Sequence, residues 1–232
     1  MSRYRRPVTP ARLTAATEAR RLGHALVAAD ADDATFDAVA DLLVRANALL
    51  AEVPHLPRAP FDPEHLARFR RDRERTGAEV MADRAVAGPA NPTSVDFTSR
   101  IVDGVVEADV VFGPAFEGAP GRAHGGIVAA VFDDLLGTAM AAVEGIGFTG
   151  RLTVHYRAPV PVGPTVAYRL ETGPQDGRKL HVRGEARLGE RLLCEAEALM
   201  ILVDVERFKV HAGDLLAGGL LAGDVLAGDG AD

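Results

Sequence analysis

The sequence of 232 residues predicts an α+β fold in which a curved antiparallel sheet wraps around a single long helix. Two observations predict this arrangement. The hydrophobic period changes from that of a helix to that of a strand near Asp96. One nearly continuous apolar segment, 127–143, then separates two predicted strands from at least four others, and it is too long to be a strand. We therefore expect this segment to be the helix that covers the sheet.

Residues 1–85 are predicted to form a helical extension with a proline-rich connector. Between Pro10 and Val53, two helical patterns suggest a hairpin, with an N-cap for the second helix in the acidic turn 30–33. The apolar stripe of that second helix consists of Phe36, Val39, Leu42, Leu43, Ala46, Leu49 and Leu50. Prolines at 54, 57, 60 and 63 then favour a stiff polyproline II segment, and a short basic helix is expected at 65–75.

Residues 86–208 are predicted to form the sheet domain, because several segments alternate between apolar and polar residues. Strands with one apolar face favour an antiparallel sheet that is covered on one side. Turns are expected at Gly173-Pro174, Asp176-Gly177 and 188–190, and the last strand at Arg191–Val203. The side chains expected to face inward are Val106, Ala108, Val110, Phe112, Leu152, Val154, Tyr156, Val166, Tyr168, Leu170, Val182, Gly184, Ala186 and Leu188.

Residues 209–232 are predicted to be a low-complexity tail. A five-residue unit containing glycine recurs there, and this period matches neither a helix nor a strand. We expect the tail to be flexible or loosely docked.

Composition excludes several classes of function. The net charge of −7 argues against a protein that binds nucleic acid by neutralising phosphates. The single cysteine, Cys194, excludes an intrachain disulfide and any multi-cysteine metal site, and we expect neither a metal nor a cofactor. The N-terminal sequence lacks an apolar signal core and no apolar run has the length of a membrane span. The expected location is the cytoplasm, with no membrane partner.

A glycine-rich segment, 113–126, leads directly into the apolar helix. It lacks the Gly-Lys-Ser/Thr ending of a phosphate-binding loop and the glycine spacing of a dinucleotide-binding loop. Two interpretations remain. One is a tight turn without a ligand. The other is an oxyanion hole, because the first N–H groups of a helix have no partners within it, and Gly125 and Gly126 leave room for a substrate carbonyl.

Asp133 and Asp134 lie in the middle of this apolar helix, where an ionised carboxylate costs several kcal/mol unless it is compensated. Adjacent helix residues point about 100° apart, so the two carboxylates lie in different environments. Small residues surround Asp133 and leave room for another molecule. We expect burial to raise its pKa and a functional role for this pair. The alternative is a structural role, in which one aspartate caps a helix break or pairs with an arginine.

The spacing of these groups predicts a dimer. Seven residues separate Gly126 from Asp133, which corresponds to about 10 Å along a helix. In acyl transfer, the oxyanion donor and the base both lie about 3 Å from one reacting centre. A single helix cannot supply both groups to one substrate, whereas two antiparallel helices can. A functional site would therefore require at least a dimer with two sites at its interface.

The motif His124-Gly125-Gly126, with an aspartate nine positions after the histidine, resembles the hotdog-fold acyl-CoA thioesterases of the phenylacetate-degradation type. The resemblance covers about residues 95–207 and includes the segments 149–154, 156–159 and 177–179. It implies a hotdog fold, an acyl-CoA substrate, and a homodimer or dimer of dimers as the assembly.

The resemblance also implies roles for individual residues. Gly125, with Gly126, would donate to the thioester carbonyl, next to His124, and Asp133 of the facing subunit would act as general base or nucleophile. Thr149 would lie near the attacking water. The resemblance leaves two interpretations for four basic residues, as contacts to the phosphates of coenzyme A or as ordinary surface charges: Arg151, Arg157, Arg178 and Lys179. His155 stands where some relatives have asparagine, and it is expected to be a surface residue of a strand.

Other functions are weighed against this hydrolase. The helical extension leaves open a non-catalytic module that binds or senses acyl-CoA. A hotdog hydratase is disfavoured, because the run 91–94 lacks the expected histidine. A serine thioesterase is disfavoured because the chain has three serines and no Gly-x-Ser-x-Gly elbow. Cys194 is expected to be a small core residue.

Overall fold

The computed structural model of this protein describes residues 8–54, 82–140, 143 and 146–203. The predicted basic helix at 65–75, the prolines at 57, 60 and 63, and the tail 209–232 lie outside the described residues. The helices are α1 (Pro10–Ala28), α2 (Asp33–Ala51) and α3 (Gly125–Ala139). The strands are β1 (Asp96–Val102), β2 (Val105–Val111), β3 (Glu117–Ala119), β4 (Arg122–Ala123), β5 (Ile146–Tyr156), β6 (Thr165–Asp176), β7 (Lys179–Leu188) and β8 (Arg191–Val203).

The two N-terminal helices form where the sequence predicted them, and their packing against each other as a hairpin stays a prediction. The Thr9 side chain caps α1 by accepting from the amide of Arg12, and Asp32, within the predicted turn, caps α2 by accepting from the amide of Thr35. With respect to the described residues, the apolar stripe of α2 is exposed in its C-terminal half, where Leu49 is 78% exposed, whereas Phe36, Val39 and Leu43 are partly buried. Among the described residues, no helix combines the length and apolar character needed to cross a membrane.

The six long strands form one antiparallel sheet in the order β1-β2-β6-β7-β8-β5, so β1 and β5 are its edges. The predicted inward faces are confirmed, with most of these side chains buried. The tight turns at Gly177 and Gly189 are also confirmed, and both glycines adopt a positive φ. The predicted turn at Gly173-Pro174 is wrong. These residues lie inside β6, where the pairing with β7 shifts, and proline is tolerated at such a bulge.

Helix α3 packs against the inner face of the sheet, as predicted. Phe132 contacts Tyr168 of β6 edge to face, with ring centroids 4.8 Å apart. The close approach of α3 and β6 to β7 leaves room only for glycine at Gly184, where a Cβ atom would lie 2.9 Å from Leu170 Cγ. The residues of α3 buried in this core are Val128, Val131, Phe132, Leu135, Leu136, Thr138 and Ala139. The fold class is therefore α+β, with one helix wrapped by a curved sheet.

An ion pair joins α3 to the segment that precedes the sheet. Arg84 Nη1 lies 3.3 Å from Asp134 Oδ2, and each side chain is only 12% exposed. Burial raises the pKa of Asp134, and the cation of Arg84 opposes this rise only in part. Asp134 thus has the structural role that the sequence left open, although its partner comes from the connecting segment and not from a strand.

Helix α1 is fixed to the same segment by Arg20. Its guanidinium donates to the carbonyl of Asn91 at 2.9 Å and to the hydroxyl of Ser94 at 2.5 Å, and it lies 3.3 Å from the carboxylate of Asp96. Ser94 is fully buried, and the Arg20 side chain is only 10% exposed. The extension therefore packs on the sheet domain through these contacts. The division of the chain at residues 85/86 and 208/209 stays a prediction.

The ion pair between Arg84 and Asp134 gives a stability prediction. Replacing Arg84 by methionine should lower the free energy of unfolding by about 3–5 kcal/mol near pH 7, because it leaves a buried carboxylate without its partner. The loss should shrink as the pH falls towards the ordinary aspartate value of 3.8. Burial raises the pKa of Asp134 in the folded state. In the pH range just above 3.8, the folded variant therefore binds a proton that the unfolded variant does not bind, and this proton removes the unpaired charge. Urea unfolding at two pH values measures both effects.

Arg183→Met is the matched control for this prediction. Arg183 Nε lies 3.9 Å from Glu197 Oε1, and the two side chains are 85% and 65% exposed, so its loss should cost less than about 1 kcal/mol. Equal losses for both variants would show that the buried pair is no more important than a surface pair.

Candidate functional site

The first turn of α3 leaves one backbone donor without an acceptor. His124 is the N-cap: its carbonyl accepts from the amides of Ile127 and Val128, and its Nδ1 accepts from the amide of Gly126 at 3.1 Å. The N–H of Gly126 is thus already engaged in this conformation, and its role as an oxyanion donor beside Gly125 stays a prediction. In the described part of the chain, no group accepts the N–H of Gly125. That N–H is the candidate oxyanion donor of the helix start.

Tyr156, at the end of β5, holds the peptide group that follows this donor. Its hydroxyl donates to the carbonyl of Gly125 at 2.6 Å. A Cβ atom on Gly125 would lie 3.3 Å from this hydroxyl, so the glycine allows the close approach. A cleft of about 500 Å³ opens beside the two residues, and its walls include Arg122, His124 and Arg157. The free N–H group therefore lies at the edge of a cleft large enough for a small ligand.

Asp133 lies further along α3, on the side of the helix that is exposed in a single chain. Thr149 of β5 donates its hydroxyl proton to Asp133 Oδ1 at 2.8 Å. The expectation that Asp133 is buried is wrong for the single chain. The buried carboxylate is Asp134, because the two side chains point in different directions from the helix. Thr149, which the resemblance placed near the attacking water, thus contacts Asp133 directly.

A bulge in β5 turns Thr149 towards the helix. The pairing with β8 shifts between Thr149 and Arg151, so Gly150 is an extra residue on this strand. Simple alternation would place Thr149 on the outer face with Arg151. With the bulge, Thr149 pairs with the inward-facing Met200, and its hydroxyl lies 3.6 Å from the sulfur of that residue. The bulge therefore decides that Thr149 can reach Asp133.

The two halves of the candidate site are far apart in one chain. Gly125 and Asp133 lie on the same continuous helix, eight residues and therefore about 12 Å apart along its axis. Helix α3 and strand β5 run in opposite directions, so Tyr156 contacts the Gly125 end and Thr149 contacts the Asp133 end. A single chain does not bring the N–H donor and the carboxylate to one reacting centre.

The four predicted phosphate contacts also do not converge in one chain. Arg157 lines the cleft beside Gly125 but donates to Glu195 at 2.6 Å, and Arg178 donates to the carbonyl of Leu202 at 2.9 Å. Arg178 and Lys179 lie at the turn between β6 and β7. Arg151 is exposed six residues before Arg157, about 20 Å away along β5.

Sequence reasoning assigned no role to two residues of the cleft, Tyr156 and Arg122. Tyr156 was placed correctly on the inner face of β5, but its hydrogen bond to Gly125 depends on how α3 and β5 meet. Arg122 is exposed on the wall of the cleft, and no carboxylate of the described residues lies within ion-pair distance of it. Its position two residues before the His-Gly-Gly motif was the feature of the sequence that could have indicated a place beside the candidate site.

Two other candidates lie where the sequence placed them. Cys194 is fully buried, and burial raises the pKa of its thiol to about 11, which disfavours a nucleophilic thiolate at neutral pH. His155 is exposed on β5, opposite Glu195 of β8. Neither side chain lines the cleft beside Gly125.

Comparisons with known proteins find similarity over the region that contains the candidate site. The Thioesterase superfamily matches residues 120–195, which include Gly125, Asp133 and Thr149. Acyl-coenzyme A thioesterase THEM4 of Mus musculus is 36% identical over 93 residues, which are 39% of this chain and 40% of that protein. Acyl-coenzyme A thioesterase THEM5 of Mus musculus is 38% identical over 95 residues, which are 40% and 38% of the two chains. The matched region thus spans about two-fifths of these curated relatives.

A solved structure extends the similarity beyond this region. A crystal structure described as a thioesterase superfamily protein is 26% identical, with a TM-score of 0.68, and the match covers 84% of this chain and 97% of that chain. The chain therefore has the hotdog fold, and its residues 120–195, which carry both halves of the candidate site, match the Thioesterase superfamily.

Proposed function

We propose that this protein hydrolyses acyl-CoA thioesters to a carboxylic acid and coenzyme A, as a cytoplasmic hotdog thioesterase of the phenylacetate-degradation type. One observation carries the proposal. One helix carries both the N–H of Gly125, which has no acceptor among the described residues, and Asp133, which Thr149 contacts, and all three residues lie within the region that matches the Thioesterase superfamily. Oxyanion donor, carboxylate and hydroxyl are the groups that acyl transfer to water requires. The names of the curated relatives support coenzyme A as the thiol of the substrate.

We propose that a second copy of the chain completes each site. Strand β5 is an edge of the sheet, is 11 residues long and carries Thr149 and Tyr156 towards its opposite ends. A long unpaired edge is suited to pairing with another strand. In a two-fold antiparallel pairing of two β5 strands, the Thr149 end of one copy lies beside the Tyr156 end of the other. This arrangement supports a homodimer, or a dimer of dimers, with two sites.

The proposed reaction uses Gly125 of one copy and Asp133 of the other. The N–H of Gly125 donates to the thioester oxygen, which gains negative charge when the carbonyl carbon is attacked. As general base, Asp133 takes a proton from a water molecule near Thr149, and the hydroxide forms the new C–O bond. The tetrahedral intermediate then releases the thiolate of coenzyme A, which takes the proton from Asp133. As a nucleophile, Asp133 would instead attack the carbonyl carbon and displace the thiolate of coenzyme A, which forms an anhydride. Water then cleaves the anhydride to the free carboxylic acid and the Asp133 carboxylate, and the proton released goes to the thiolate.

The proposed dimer also brings basic side chains from two directions to each site. Arg122 and Arg157 lie at the Gly125 end of one copy, and Arg178 and Lys179 lie at the Asp133 end of the other. Of these, Arg122 is the strongest candidate for a phosphate contact, because no carboxylate of the described residues pairs with it. Arg157 is weaker, because Glu195 already pairs with it.

Asp133→Asn is expected to lower kcat for acyl-CoA hydrolysis by about 10²–10⁴, because the amide cannot take up the proton. Coenzyme A binding and thermal stability should be retained, because Asp133 is exposed in the single chain. Release of thiol, followed with a thiol-trapping reagent over short, long and aryl acyl-CoAs, measures the effect.

Asp103→Asn is the matched control, because Asp103 is in the turn between β1 and β2 with φ of 50°, a conformation that asparagine adopts readily. If Asp133→Asn hydrolyses acyl-CoA at the wild-type rate, Asp133 has no part in the mechanism. If the wild-type protein binds acyl-CoA tightly but releases no thiol, a binding or sensing module is favoured over an enzyme.

Thr149→Val should lower kcat by about 10–100-fold, because it removes a hydrogen bond to a charged group without changing the size of the side chain. Thr149→Ser keeps the hydroxyl and should stay within a few-fold of the wild type. Steady-state kinetics of the two variants separate the hydroxyl from the packing of the side chain. Equal activity of the valine and serine variants would contradict a role for the hydroxyl group.

A mixture of two inactive variants tests the shared site. Gly125→Pro removes the N–H, and proline is tolerated at the first position of a helix when the preceding residue is extended, as His124 is. Each hybrid dimer of this variant with Asp133→Asn contains one site with both wild-type groups. Random exchange of subunits should therefore restore about a quarter of the wild-type activity. Hybrids of verified composition that stay inactive, or a fully active monomer, would contradict a site shared between two copies.

A further inference from the structure

Helix α1 contacts the turn that precedes the loop bearing Gly125. His24 Nδ1 accepts a hydrogen bond from the amide of Ala115 at 3.1 Å. The imidazole also packs edge to face on Phe116, with ring centroids 5.2 Å apart and planes at 73°. Ala115 and Phe116 belong to a single 3-10 turn, Pro114–Phe116. One side chain of the helical extension thus holds this turn in two ways.

The same turn is bonded to the residue before Gly125. The amide of His124 donates to the carbonyl of Phe116 at 2.8 Å. His124 is in turn the N-cap of α3, and its orientation sets the direction of the N–H of Gly125. A continuous series of contacts therefore leads from His24, through the Pro114–Phe116 turn and His124, to the proposed oxyanion donor.

Two backbone hydrogen bonds to the segment 160–162 support the loop between the turn and α3: the amide of Ala123 donates to the carbonyl of Val160 at 2.9 Å, and the amide of Val162 donates to the carbonyl of Gly121 at 3.3 Å. Strands β3 and β4 contain three and two residues, and their pairing is interrupted by a register shift. Residues 117–122 are all exposed. The backbone at Gly113, in contrast, fits closely against the ring of His24, and a Cβ atom there would overlap the imidazole. Among the glycines of this segment, Gly113 therefore has the closest packing, and its neighbour is α1.

Helix α1 is itself a firm support for this contact. Arg20, one turn before His24, is bonded to the carbonyl of Asn91, to the buried hydroxyl of Ser94 and to Asp96. These partners lie in the segment that leads into β1, so α1 is tied to the sheet independently of His24. Side chains on such a fixed element hold their targets more accurately than side chains on a free loop.

We propose that His24 is a positioning residue for the N–H of Gly125, acting through the Pro114–Phe116 turn. The proposal rests on the proposed thioesterase function, because it assigns the helical extension a part in holding the oxyanion donor. Since Ala115 supplies the proton, Nδ1 of His24 carries none and acts as an acceptor. A displaced oxyanion donor affects the transition state more than substrate binding, so loss of the acceptor lowers kcat more than it raises KM.

A pair of variants of equal size tests the acceptor. Asparagine has an oxygen at the position of Nδ1, whereas leucine has a methyl group there. His24→Leu is expected to lower kcat by about tenfold or more, with KM within about twofold, and His24→Asn should stay within about threefold of the wild type. Hydrogen exchange should show the same pattern without any substrate. Amides of residues 113–126 should exchange about tenfold faster in His24→Leu and at wild-type rates in His24→Asn.

A second variant approaches the same contact from the other side. Gly113→Ala leaves His24 in the sequence but pushes its ring away, and the extended backbone at Gly113, with φ of −84°, accepts alanine. Gly113→Ala should reproduce the lower kcat and the faster amide exchange of His24→Leu. The contact can therefore be tested with this variant if His24→Leu does not fold.

The outcomes separate this proposal from the proposed function. A wild-type protein that releases no thiol from any acyl-CoA would reject the thioesterase function and, with it, the role of His24 in that reaction. An active wild type with unchanged kcat and exchange in His24→Leu and Gly113→Ala would overturn only the role of His24. Equal losses in His24→Asn and His24→Leu would also overturn it, because the acceptor atom would then make no difference.

Discussion

The structure depends on the burial of one helix, α3, against the inner face of the sheet. The apolar side chains of α3 fix its rotation and its position, since shifting them would open cavities in the core. Every group that α3 carries is therefore held at a defined height and direction. The N–H of Gly125 lies at its start, and Asp133 lies about 12 Å further along the axis, on the uncovered side.

The two adjacent aspartates of α3 illustrate how this fixed rotation separates a structural carboxylate from the one proposed to be catalytic. Asp134 turns towards the core and is compensated by Arg84, at 3.3 Å. Asp133 turns outward, where Thr149 is its hydrogen-bond partner. A buried charge needs a partner of opposite sign, whereas an exposed carboxylate remains available for chemistry. The same burial that requires the ion pair thus leaves Asp133 on the surface where a second copy of the chain can approach.

The helical extension contacts the central domain at the places that matter for the candidate site. Arg84 pairs with the central helix, Arg20 fixes α1 to the segment before β1, and His24 contacts the turn bonded to His124. The region that matches the Thioesterase superfamily, 120–195, contains none of these three residues. The side chains that surround the first turn of α3 and its buried aspartate therefore come in part from outside that region.

The sequence by itself determined the periodic features of this protein. Alternation placed residues such as Val106 and Tyr168 on the inner face, and the apolar segment predicted the central helix, because burial of one face imposes these periods. The motif His124-Gly125-Gly126 and its distance to Asp133 were equally readable, since they lie on one local element. What only the tertiary structure decided depends on contacts between distant segments. The bulge at Gly150 turns Thr149 inward. Arg84 pairs with Asp134, and the carbonyl of Phe116 accepts from the amide of His124. No local period encodes these contacts, because each forms only when the chain packs.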